Sequence, residues 1–275
     1  MDDVLRLLSL AFDVSWKCPR RHGDNVAAKG CCSMLILGHR GEPRLAPENT
    51  LASFALVRDD LSRGVGGAEC DVQMTRDGEL VVIHDETVDR TTDGTGWVKD
   101  FTLQQIRRLN AAHHFSGSSH PEAIPTMAEV LELFDGTGAT LNIELKNSKV
   151  PYDGMEERLL RLVGQYRVAV VFSSFNHDSM GLIRSMRPSA WTGLLYGPWL
   201  RAPDVVAAAR QQRASAVHPF YINTTRHLVQ ELHDTGVAVA PWTVDTAMAV
   251  RRSAQLRVDT IITNNPRAAV VALAP

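Results

Sequence analysis

The chain is predicted to fold as an eight-stranded parallel β/α barrel of the TIM type, with a small insertion after the second strand. Three observations predict it. Short β-branched runs alternate with helical patterns from Met34 onward. Eight such runs can be counted, and 275 residues accommodate a barrel, which takes about 250. Two of the runs carry polar residues at every second position, so that those side chains share one face.

The strands are expected at Met34–Leu37, Gly67–Val72, Thr140–Leu145, Val168–Phe172, Thr192–Tyr196, Ala216–His218, Val237–Pro241 and Thr260–Ile262. Helical periodicity fills the intervals near 50–63, 126–135, 154–165, 176–187, 203–213, 225–235, 246–256 and 266–273. Pro125-Thr126 and Pro203-Asp204 are helix starts, and Gly236 punctuates a helix end. Leu80–Ile83 extends the second strand as a hairpin turned by Asp77-Gly78. Residues 85–122 are rich in Gly, Thr, Ser and His. A loop of that length in a compact domain is usually functional, and after a barrel's second strand it lies on the active-site side.

Residues 1–33 stand apart. Leu5, Leu8 and Phe12 suit a short amphipathic helix, followed by a basic stretch from Lys17 to Lys29. Three readings stay open: a mobile extension, a helix capping the barrel floor, or an upstream mis-start with Met34 as initiator. Asp2 and Asp3 carry the wrong charge for a secretory leader. The cysteines, Cys18, Cys31, Cys32 and Cys70, form no C-x-x-C pair and read as free thiols. No apolar run approaches the roughly 18 residues needed to span a bilayer, and a cytoplasmic location is expected. The net charge of -2 argues against nucleic acid and anionic membrane as partners. Oligomeric state stays undetermined. An anionic ligand would need local positive charge.

Four stretches carry candidate chemistry. Gly38-His39-Arg40-Gly41 directly follows the first strand, so His39 and Arg40 stand at the barrel mouth. Glu69 and Asp71 flank Cys70 and face inward together. Two inward carboxylates repel unless neutralised, and oxygen ligands suit Mg²⁺ or Ca²⁺. Asn142, Glu144 and Lys146 share a face, with Glu144 a third ligand candidate and Lys146 a point charge for phosphate. His84 follows the apolar run Val81–Ile83. Each stretch alone also fits a blander role, as a loop histidine, a solvated strand end or an edge strand. Together they put two histidines, three carboxylates and two cations at neighbouring strand ends.

In order along the chain stand His39-Arg40-Gly41, Pro47-Glu48-Asn49-Thr50, Glu69-Cys70-Asp71, His84-Asp85, Asp89–Gly96, Ile124-Pro125-Thr126 and Glu144-Leu145-Lys146, then Pro241–Asp245 and Asp259–Pro266. With these motifs the chain from Met34 resembles the glycerophosphodiester phosphodiesterase family. The resemblance implies one divalent cation, Mg²⁺ or Ca²⁺ with Mn²⁺ as a third option. It implies hydrolysis of a small-molecule glycerophosphodiester to sn-glycerol 3-phosphate and an alcohol. It implies His39 and His84 as the catalytic pair; which is base and which is acid the sequence leaves open, and the mechanism assigns His39 as base and His84 as acid. Glu69, Asp71 and Glu144 would be metal ligands. Arg40 and Lys146 would contact phosphate, with Glu48 and Trp242 as further substrate-binding candidates. The nucleophile would be water or the glycerol 2-hydroxyl. Two rival readings are lysophospholipase D-type hydrolysis, with Phe220, Tyr221 and Trp199 as an apolar rim, and a non-catalytic barrel that binds phosphodiesters.

Overall fold

The structure is a computed structural model describing residues 34–117, 120–199 and 201–274. The expectations for residues 1–33, including Cys18, Cys31 and Cys32, lie outside the described residues.

Parallel strands run in the order of the predicted barrel. They are β1 (Leu35–Gly38), β2 (Gly67–Met74), β4 (Thr140–Leu145), β5 (Ala169–Ser174), β6 (Trp191–Tyr196), β7 (Ala216–Pro219), β8 (Ala238–Val239) and β9 (Thr260–Thr263). The expected hairpin is β3 (Leu80–Val82), antiparallel to β2. The ring is nearly closed. β9 pairs with β1, and β8 reaches β9 through backbone bonds from Asp259 to Val239 (3.0 Å) and Ile262 to Pro241 (3.0 Å). The expected Val237–Pro241 strand is regular over two residues only, and Pro241 has no N–H to continue a ladder.

Alternation builds the two sides of each strand. Ala68, Cys70 and Val72 of β2 and Leu141, Ile143 and Leu145 of β4 are fully buried in the main apolar cluster with helix residues Phe54, Met127 and Leu131. Cys70 is a free, buried thiol. The opposite faces turn into the barrel, where Leu37, Val171, Leu195 and Ile262 are buried away from that cluster. Most of the helices start on side-chain caps. Thr50 caps the helix Leu51–Asp59, and Thr126 with Glu129 forms a capping box on Met127–Phe134.

The segment after β3 is less irregular than its composition suggests. It holds a short helix, Leu103–Ile106, and a second apolar cluster of Val81, Ile83, Val88, Val98, Ile106, Ala111 and Ile124. Spaced apolar residues among polar ones, too sparse to show a period, give the insertion its own small core. Among the described residues, no helix is long and apolar enough to cross a membrane.

His218 is a polar residue inside the barrel, 2% exposed against the backbone of Gly193, and its Nδ1 has no hydrogen-bond partner. Burial pulls it down from 6.5 to about 4. Between those values the unfolded chain binds a proton that the folded chain refuses, so stability rises with pH through the window and is flat above it. Lowering the pH from 7 to 5 is expected to cost about 2 kcal/mol through this residue, at 1.36 kcal/mol per pH unit. Urea unfolding at both pH values checks it: His218→Leu should shrink the loss by about that amount.

Candidate active site

β1 ends at Gly38, and the chain then turns so tightly that Arg40 (φ 56°) and Gly41 (φ 87°) both lie in the left-handed region. A Cβ at Gly41 would collide with Ser53, which explains the glycine of the H-R-G motif. The turn aims the Arg40 backbone N–H at Glu69 Oε2 (2.9 Å). Asn49, also at positive φ (57°), donates from Nδ2 to Asp71 Oδ2 (2.8 Å). Strained backbone of this kind persists where surrounding contacts over-determine it.

Register brings the carboxylates together. β2 and β4 run parallel with Glu69 opposite Asn142 and Asp71 opposite Glu144. Oxygens of Glu69, Asp71 and Glu144 lie within 4.8 Å of one another, all buried. Two ionised carboxylates at that distance repel by about 3–4 kcal/mol at an effective dielectric of 20, so three together need compensation. Lys146 supplies part of it, 2.8 Å from Glu144 Oε1 and 3.7 Å from Asp71 Oδ1. Arg40 Nε is 3.4 Å from Asp71 Oδ2. Burial alone would raise Asp71, but Lys146 and then Arg40 hold it below the ordinary carboxylate range. Glu69 has no such neighbour in strength. Burial, then the charges of Asp71 and Glu144, push it well above its ordinary value. Burial also raises Glu144, against the pull of Lys146.

These residues fit a hard divalent cation. The donors are all carboxylate oxygens, they converge, and Asp71 Oδ1 is buried without a hydrogen-bond partner. The acidic cluster could hold a metal ion.

Two histidines stand beside it. His39 Nε2 is 4.0 Å from Glu69 Oε2, and its Nδ1 meets Asn264 Oδ1 at 2.7 Å. Burial, then the Arg40 charge, lowers His39 to about 4. His84 Nε2 is 3.2 Å from Lys146 Nζ, and its Nδ1 is 2.5 Å from Asp85 Oδ1. That bond from His84, with those from Arg90, holds the Asp85 carboxyl below its usual range.

The remaining predicted residues fall in two places. Glu48 is taken up by arginines, with Arg40 at 2.8 Å and Arg90 at 2.7 and 2.9 Å, so its carboxylate faces cations of the protein. Trp242 lies beyond β8, where its indole N–H donates to the His218 carbonyl (3.0 Å). It packs edge-on against Phe175 (5.8 Å) and Phe220 (5.7 Å), and Tyr221 packs on Phe220 (5.2 Å). Trp199 is 94% exposed and stands out in solvent.

Sequence reasoning quoted Asn49, Asp85 and Arg90 within motifs but gave them no role. Asp245 and Asn264 were likewise quoted, within Pro241–Asp245 and Asp259–Pro266, without a role of their own.

The chain matches the model of the glycerophosphoryl diester phosphodiesterase family over residues 39–268. A glycerophosphodiester phosphodiesterase of Caldanaerobacter subterraneus subsp. tengcongensis is 43% identical over 234 residues, covering 84% of this chain and 94% of its own. One from Bacillus altitudinis is 35% identical over 240 residues, covering 86% and 96%. Among solved structures, a phosphodiesterase of Oleispira antarctica in complex with the product sn-glycerol-3-phosphate superposes with a TM-score of 0.77. It is 26% identical, and the match covers 87% of this chain and 96% of that one. Fold, motif order and extent of match agree, and the chain belongs to the glycerophosphoryl diester phosphodiesterase family, a family of phosphoric diester hydrolases.

Proposed function

We propose that this chain hydrolyses glycerophosphodiesters to sn-glycerol 3-phosphate and an alcohol, with His39 and His84 moving protons and Glu69, Asp71 and Glu144 holding one divalent cation. The observation that carries the reading is the convergence of three buried carboxylates with two histidines and Lys146. A bound Mg²⁺ or Ca²⁺ would supply Lewis-acid stabilisation of phosphate charge.

The protein's own groups do the rest. The diester carries one negative charge, which builds on the non-bridging oxygens as a hydroxyl attacks. Lys146 and Arg40 meet that charge. Glu48 acts through Arg40, whose guanidinium it holds at 2.8 Å. The attacking hydroxyl, from water or from the glycerol 2-position, must lose a proton. His39 suits that task because burial keeps its ring neutral at neutral pH. The leaving alkoxide must gain a proton. His84 suits that one, since Asp85 behind its Nδ1 fixes the ring, the arrangement used wherever a carboxylate orients an imidazole. The aromatic group of Phe175, Phe220 and Trp242 supports a second reading, an apolar alcohol such as a lysophospholipid. A cytoplasmic setting belongs to the proposal on the strength of the cysteine pattern.

The test is turnover of EDTA-stripped protein with Mg²⁺, Ca²⁺ or Mn²⁺ added back. The substrates are glycerophosphocholine, glycerophosphoethanolamine, glycerophosphoglycerol and a lysophospholipid. Release of glycerol 3-phosphate from the deacylated diesters is the expected result. Turnover of the lysophospholipid alone would favour the second reading, and none with any substrate and cation would sink both.

A further inference from the structure

His39 is held from behind by two residues of the closing motifs, Asp245 and Asn264, that no role above involves. Asn264 Oδ1 lies 2.7 Å from His39 Nδ1, and Asn264 Nδ2 lies 2.7 Å from Asp245 Oδ2. Asp245 also accepts from the Asn264 backbone N–H (2.8 Å) and from Thr263 Oγ1 (3.2 Å). The orientation of an asparagine amide follows from its partners. A carboxylate accepts only, so the amide NH₂ must face Asp245 and the amide oxygen must face the histidine. An amide oxygen also accepts only, so the ring nitrogen facing it must carry the proton. The neutral ring is thereby left with its lone pair on Nε2, the nitrogen on the Glu69 side.

We propose that Asp245 and Asn264 form a positioning relay that sets the tautomer of His39, keeping the proton on Nδ1 and the free lone pair on Nε2 towards the carboxylate cluster. A neutral histidine in water prefers the opposite tautomer, so the relay works against an intrinsic bias. The backbone serves the same end: the His39 N–H donates to the Thr263 carbonyl (2.8 Å), tying the β1 end to the segment that carries Asn264. The relay's value to the enzyme rests on the proposed role of His39 as base, because a base with its proton on the reacting nitrogen cannot accept another.

Two-bond ¹H–¹⁵N correlation spectra of the full-length ¹⁵N-labelled chain, taken at alkaline pH, read the tautomer directly. The His39 signals are identified by their loss in His39→Gln. The expected wild-type pattern is a pyrrole-like Nδ1 and a pyridine-like Nε2. Asn264→Leu removes the acceptor and should move the proton largely to Nε2. In that variant kcat should fall about 10-fold or more with KM little changed, since a wrong imidazole tautomer costs up to about 10⁴-fold in a Ser-His-Asp triad. Asn264→Asp retains an acceptor and should restore the wild-type nitrogen pattern. A wild-type ring protonated on Nε2, or an unchanged pattern in Asn264→Leu, would overturn the relay. Should the leucine variant not fold, an Nε2-protonated ring in Asn264→Asp overturns it as well. The spectrum needs no substrate, so a chain inactive towards every diester would count against the reaction while the nitrogen pattern still decides the relay.

Discussion

Removing divalent cations with EDTA is expected to lower turnover of the preferred glycerophosphodiester by about 10³-fold or more, with recovery on adding back the preferred ion. The magnitude follows from the several kcal/mol of charge stabilisation that a Lewis-acid cation contributes to phosphoryl chemistry, at 1.36 kcal/mol per decade. Glu69→Ala should reproduce the loss without chelator. It should weaken cation binding by at least the roughly 10–100-fold that even an outer partner of a metal site costs. Titration calorimetry on the stripped protein measures this. The same titration carries a sign that tests the electrostatics. Burial and its two acidic neighbours raise Glu69, so it is the group of the three that most readily keeps a proton. A cation must displace that proton, so affinity should rise with pH and binding should release protons to buffer. Affinity independent of pH, or calorimetric binding that survives Glu69→Ala intact, would place the ion elsewhere.

His39→Ala and His84→Ala are each expected to cut kcat by about 10²–10⁴-fold, the usual range for loss of a general acid or base. Cation affinity should stay within a few-fold of wild type, because neither ring belongs to the converging oxygen set. That separation matters, since a variant that lost the ion would also lose activity. The two variants should differ in kind. In the proposed reaction His84 releases its proton to the leaving alkoxide, so its loss should be milder for substrates whose alcohol is more acidic. The loss at His39 should be insensitive to the leaving group. Comparing an alkyl with an aryl glycerophosphodiester in both variants checks the assignment. Equal leaving-group sensitivity in both would undo the division of roles, and near-normal turnover in either variant would remove that histidine from the chemistry.

Much of this molecule is legible in local pattern. The eight barrel strands fall where alternation and β-branching put them, the regular parts of β8 being the shortest, and Thr50 and Thr126 cap helices where the motifs suggested. Period-two spacing put Glu69 with Asp71, and Glu144 with Lys146, on one face each, because successive side chains of a strand alternate by geometry alone. The chemistry of the groups was equally plain, since carboxylate oxygens and imidazoles are identifiable without coordinates. The insertion was harder to read. Its apolar residues, from Val88 to Ile124, are too far apart to show a period, and their clustering around Ile106 exists only in three dimensions.

Contacts between distant segments were decided by the tertiary structure. Which residue of β4 stands beside Asp71 depends on strand register, and a slip of one would have offered Leu145 or Ile143 in place of Glu144. Glu48 looked available to a substrate until Arg90, 42 residues on, was seen to share it with Arg40. The partner behind His39 lies 225 residues away, at the far side of the ring closure between β1 and β9. The amino-acid sequence by itself determined the order of the elements, the face each side chain takes and the chemical kind of the site. Only the closed barrel decided which charges meet, because pairing across a ring joins residues that no local periodicity connects.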